Sequence, residues 1–167
     1  MRDAPSPESV LLAIAAQRRA GQHDSARQAL VELASAYPNH PAVNYATACV
    51  HDYLGLERQA IPFYVAAIAN GLAGDDLRGA YLGLGSTYRT LGMYAQAYET
   101  LQAGLEHFPD APELQVFLAM ALYNQREHIS AMQIILHLLA ETSTAPGIRQ
   151  YARAIHFYAD HLDTVWE

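Results

Sequence analysis

Eight histidines, one cysteine and an adjacent pair of aspartates are the side chains of this 167-residue chain that invite a chemical reading. A metal needs donors converging from one face, as in a His-x-x-x-His pair or a His-Glu-x-x-His helix. Neither pattern occurs. His156 and Asp160 stand four apart on one helix face, but His161 points elsewhere, so no metal and no cofactor is expected. Gly79, Gly83 and Gly85 run into Ser86-Thr87 as a phosphate cradle might, yet the spacing is wrong and no strand leads in. Asp75-Asp76 open a predicted helix, where carboxylates meet the positive end of the dipole, and are read as capping rather than catalytic. Cys49 lies between Ala48 and Val50 with no His on its face and reads as a small packing residue. No Ser-His-Asp or paired-acid arrangement is found, and no enzymatic activity is expected.

Composition narrows the classes further. The formal net charge is −7, which repels phosphate backbones, so nucleic acid is not expected as a partner. All ten basic residues are Arg, which removes a phosphate-loop or Schiff-base Lys. A single Cys suits a reducing compartment, and a cytoplasmic location is expected. No uncharged apolar run reaches the roughly 18 residues that span a bilayer. The apolar stretch Val10 to Ala16 reads as part of the first helix, since Asp3 and Glu8 replace the positive leader of a signal peptide.

Apolar residues recur at helical spacing, and alternating strand patterns are missing, so the chain is predicted to be all-α. Turn and stop signals at Gly21, Pro38 to Pro41, Gly55, Gly71 to Asp76, Gly92, Pro109 to Pro112 and Pro146-Gly147 divide it into nine helices: about 6–20, 24–37, 41–54, 57–70, 75–91, 94–107, 112–124, 128–141 and 146–163. Ala26, Ala60, Ala97 and Ala131 are separated by 34, 37 and 34 residues. Tyr37-Pro38-Asn39-His40-Pro41 returns as Phe108-Pro109-Asp110-Ala111-Pro112, 71 residues on. A helix–turn–helix unit of this period marks a repeat array whose neighbours share a core.

Tyr81, Leu84, Gly85, Tyr88, Gly92, Ala97, Leu101, Gly104 and Pro109 follow one another as in the tetratricopeptide repeat (TPR), and the chain resembles small stand-alone bacterial-type members of that family. Val10, Ala13, Gly21, Ala26, Leu30 and Pro38 fit the pattern in the first unit, and Gly55, Ala60, Tyr64 and Ala67 in the second. In the fourth unit Arg126 stands where the turn Gly belongs. The resemblance implies one TPR domain over 1–167, a helix-turn-helix solenoid of about four repeats (7–40, 41–77, 78–111, 112–145) with a capping helix at 146–163. Ile148, Tyr151, Ala152, Ile155 and Tyr158 are the apolar residues expected to cover the last repeat. Gly79 and Gly83 each cost a helix about 1 kcal/mol against Ala, which points to close backbone approach there or to a thinly walled groove.

In this family the first helix of each unit lines a groove that holds a peptide or partner helix. The glycine register gives inward rows Leu11, Tyr45, Leu82, Val116 and Ala15, Cys49, Ser86, Met120, with outer rows Arg18, Asp52, Arg89, Tyr123 and Arg19, Tyr53, Thr90, Asn124. Tyr45, Tyr53, Arg89, Tyr123, Arg19, Ser86 and Asn124 are the expected partner-binding residues, because aromatic rings and Arg anchor protein interfaces. Against this stands a packing reading, in which Asp52 pairs with Arg18 and Arg89 and the rings pack internally. The family's carboxylate clamp of Lys and Asn has no counterpart here, where Leu11, Ala15, Gly79 and Gly83 occupy the matching places. The implied function is a non-catalytic adaptor for a protein or peptide segment, with a homodimer possible. A dedicated secretion chaperone of the same fold and a small-ligand sensor or enzyme using the groove are the alternatives.

Overall fold

The structure, a computed structural model, describes residues 5–166. Among them are nine helices and no strand: α1 (Pro7–Arg19), α2 (His23–Ala36), α3 (Pro41–Tyr53), α4 (Glu57–Ala69), α5 (Gly74–Thr90), α6 (Tyr94–His107), α7 (Pro112–Asn124), α8 (His128–Thr142) and α9 (Pro146–Ala159). No described helix is long and apolar enough to cross a membrane. The helices fall into two compact units, α1–α5 and α6–α9.

Starts and stops have local causes. Proline opens α1, α3, α7 and α9, where its missing N–H is no loss. Ser6 caps α1 through its hydroxyl, which accepts from the Ser9 N–H. The His40 ring caps α3, accepting from the Val43 N–H, and its other ring nitrogen reaches the Glu8 carboxylate at 3.1 Å. One imidazole thus ties the start of α3 to α1.

Five helices end in the same turn; α4 does so at Gly71, φ +86°, and the other four lead into the second helix of a repeat. After α1 the Gly21 N–H bonds the Arg18 carbonyl and the Gln22 N–H bonds Gln17, with Gly21 at φ +79°. Gly55 and Gly92 repeat these two bonds after α3 and α5, at φ +70° and +75°. This is the Schellman arrangement, which places one residue in the left-handed region. After α7 the residue is Arg126, held at φ +70° by the same pair of bonds. The turn therefore survives the loss of its glycine.

In the first unit one apolar cluster gathers Ile14, Ala26, Leu30, Leu33, Val43 and Val50 from α1–α3. A second gathers Ala48, Ala60, Tyr64, Ala67, Ala80 and Leu84 from α3–α5. In the second unit Leu101, Leu114, Ala121, Ala131 and Ala159 are among the buried residues.

The last helix departs from expectation twice. It ends at Ala159 rather than 163, where the His161 side chain bonds the Phe157 carbonyl at 2.7 Å and satisfies one of the final acceptors. Tyr151 and Tyr158, expected on its covering face, are 60% and 55% exposed. Ile148, Ala152, Ile155 and Ala159 form the more buried stripe, and the two tyrosines lie roughly a quarter turn round from it.

Candidate functional site

The first unit carries a groove of about 470 Å³ walled by α1 and α3, with Asp76 of α5 at its edge. Leu11, Leu12, Ile14 and Ala15 come from α1, and Tyr45, Ala46 and Cys49 from α3. The walls are overwhelmingly apolar; Glu8, Arg18 and Asp76 supply the charges. The inward rows Leu11/Tyr45 and Ala15/Cys49 thus meet in one concavity, with Arg18 of the next row beside them.

Two glycines in α5 seat the tyrosines next to this groove. A Cβ on Gly79 would run into the Tyr45 hydroxyl, and one on Gly83 into the Tyr64 ring. The helix-weakening glycines are therefore required by close approach, as their cost suggested. The Tyr45 and Tyr64 rings lie 6.3 Å apart, inclined at 52°.

Beneath them is a small polar centre. The Tyr64 hydroxyl donates to one oxygen of Asp52 at 2.9 Å, and the Thr87 hydroxyl to the other at 2.8 Å. The packing reading pairs Asp52 with Arg18 and Arg89; its hydrogen bonds go instead to hydroxyls from α4 and α5. Burial, reinforced by Cys49 and Asp52, pushes the Tyr64 phenol far above its ordinary range. Burial likewise raises Tyr45 and the Cys49 thiol. A thiol raised in this way stays protonated and is a poor nucleophile. The chemistry on offer is apolar contact with a charged edge.

The remaining expected residues occupy different surroundings. Tyr53 is 65% exposed, its ring 4.2 Å from that of His23 in α2. Arg19 is exposed at the end of α1, while Ser86 and Arg89 are half-buried in α5. In the second unit Tyr123 is 63% exposed with its ring 4.8 Å from His128, and Asn124 beside it is half-buried.

That second unit has its own cavity, about 540 Å³, lined by Leu105, Leu118, Ile134, Gln115, Gln133, His137, Glu141 and Asp160 among others. His137 of α8 is the hub of a network that the spacing of His156 and Asp160 only half disclosed. Its Nδ1 lies 2.6 Å from His156 Nδ1 and its Nε2 2.9 Å from Asp160. Two ring nitrogens at that distance share one proton, so the pair binds α9 to α8. Among the described residues no group of three or more His, Cys, Asp or Glu side chains could hold a metal ion.

A family model for the tetratrico peptide repeat matches residues 41–162, and a second tetratricopeptide repeat model matches residues 9–40. A solved structure of Pseudomonas aeruginosa pilF is similar at 15% identity, over 94% of this chain and 91% of that one, with a TM-score of 0.37. No curated protein matches the chain.

Proposed function

The chain belongs to the tetratricopeptide repeat family, whose members are in general protein–protein interaction scaffolds, and from that premise we propose that it is a non-catalytic adaptor that takes a peptide or partner segment in the groove of α1, α3 and α5. The observation that carries this reading is the groove itself: apolar walls with an aromatic ring, and ionic groups only at Glu8, Arg18 and Asp76. Apolar side chains of a bound segment gain most in such a channel, while a small polar metabolite finds few converging donors or acceptors. Tyr45 and Arg18 anchor the segment in this reading. Arg19, Tyr53, Ser86 and Arg89 extend the contact along the first unit; Tyr123 and Asn124 belong to the second unit and are proposed as partner contacts there in their own right.

The test is capture of partners from the protein's own cell lysate by the full chain and by Ala15→Arg, which fills the groove from a half-buried position. Partners held by the parent chain and lost with Ala15→Arg, at unchanged melting temperature, support the proposal. Equal capture by both chains overturns it.

A further inference from the structure

Along α1, Glu8 and Arg18 stand ten residues apart, about 15 Å of helix, and both line the groove. Helix α3 runs the same way: the His40 ring at its start meets Glu8, and the Arg18 charge bears on Cys49 near its end. Helix α5 runs so too, with Gly79 against Tyr45 and Thr87 against Asp52. The groove is therefore electrically polar along its length. Glu8 and Asp76 mark the end where the helices start, and Arg18 the end where α1 finishes.

Arg18 differs from the other two charges. Glu8 has His40 as a partner, and Asp76 is exposed to water. Arg18 is half-buried, and among the described residues no carboxylate pairs with it. A cation partly withdrawn from water against an apolar wall is ordinarily paired. Leu12, 73% exposed on the same wall, is likewise uncovered.

Taking the groove as the binding site proposed above, we infer that its occupant is an amphipathic partner helix running antiparallel to α1 and α3. A carboxylate side chain in its first turn meets Arg18, and basic side chains in its last turn lie beside Glu8 and Asp76.

Helix rather than extended chain follows from the walls. No side-chain amide, and no hydroxyl besides that of Tyr45, lines the groove. An extended segment would turn unpaired main-chain N–H and C=O groups toward apolar surface, whereas a helix satisfies its own. The span from Glu8 to Arg18 equals about three turns, enough for apolar anchors at i, i+4 and i+7. Direction follows from charge. Acid in the first turn and base in the last is the order that a helix's own dipole favours. The same order sets the positive end of the partner beside the negative ends of α1 and α3. The carboxylate on Arg18 is then a side chain, since the partner's own C-terminal end lies at Glu8.

The test uses acetylated and amidated peptides of about 15 residues, with Leu along one face, Glu in the first turn and Arg in the last, stapled on the polar face to hold the helix. In titration calorimetry with the full chain, changing the peptide's Glu to Gln should weaken binding about 10-fold. Against Arg18→Gln that change should cost nothing; against Arg58→Gln, an exposed Arg of α4, it should cost as much as against the parent. An unstapled peptide with a mid-sequence Pro, unable to complete the helix, should bind at least about 10-fold more weakly. A nitroxide on the peptide's N-terminus should bleach the amide resonances of Arg18 and Cys49 and spare those of Glu8 and Ala42. No binding of the Glu peptide overturns the inference. So does equal affinity of the Glu and Gln peptides, an equal loss against Arg18→Gln, undiminished binding of the Pro peptide, or bleaching at Glu8 instead of Arg18. If any of these occurs while Ala15→Arg still sheds lysate partners, the groove reading stands without the helix; if Ala15→Arg changes neither capture nor peptide affinity, both fall.

Discussion

Gly79 and Gly83 look alike in sequence and differ in what they make room for. At Gly83 an added methyl meets several ring atoms of buried Tyr64, which has nowhere to go; Gly83→Ala should cost about 1–3 kcal/mol. At Gly79 the obstacle is the Tyr45 hydroxyl, the far end of one side chain. Gly79→Ala paired with Tyr45→Phe should therefore recover the helix preference for Ala and exceed the parent in stability by about 0.5–1 kcal/mol. Thermal or urea melts of the single and double variants check both values. The buried phenols also give a pH signature. Tyr45 and Tyr64 hold their protons more tightly folded than unfolded, as does Cys49. Their contribution is complete below the unfolded values, about 8.5 for the thiol and about 10 for the phenols, and is lost progressively as pH rises above them. Urea midpoints should fall between about pH 8 and pH 11, less steeply in Tyr64→Phe. A flat profile would contradict the burial of these hydroxyls. At this scale close approach at the glycines was legible, because a helix tolerates them only for a reason. The hydroxyl partners of Asp52 were not: Tyr64 and Thr87 come from two other helices, and periodicity assigns faces rather than which hydroxyl reaches.

Helix α8 is entered through Arg126 in a conformation that suits glycine. A left-handed residue with a Cβ costs about 1–2 kcal/mol, partly regained because glycine is freer when unfolded. Arg126→Gly is therefore expected to raise stability by about 0.5–1 kcal/mol, and Gly92→Ala, the converse change at φ +75°, to lower it by about 1 kcal/mol. Chemical denaturation at constant slope decides both. The turn was legible from the repeat register even where its residue had changed, because the hydrogen-bond pattern is set by the two helices it joins. The face of α9 was misread because tyrosines were counted with the aliphatic residues. Counting only Ile and Ala gives the stripe 148, 152, 155, 159, with Ala154 alone off it, and excludes both rings. His137 escaped notice since its partners lie 19 and 23 residues on, met only once α9 folds back on α8. His137→Ala should leave His156 without its ring partner and loosen α9, seen as faster amide exchange in residues 146–159 with α6 and α7 unaffected.

For the molecule as a whole, the helical plan was legible because its markers are punctuation: glycine past a helix end and proline at the next start recur at the repeat period. The groove of α1 and α3 was partly legible, since rows one turn apart follow from the same period; its charged edge at Asp76 comes from α5, beyond the reach of spacing alone. Within each unit every pair of packed helices is adjacent or next but one in the chain: neighbours throughout, with α1–α3 and α3–α5 added in the first unit. Such local wiring bears on how the chain reaches its fold. Loop closure between neighbouring helices is fast and entropically cheap, so the search resolves into a series of short steps, each templated by the hairpin before it. The first hairpin has its own turn and contacts, and it can form on the ribosome while later repeats are still being translated.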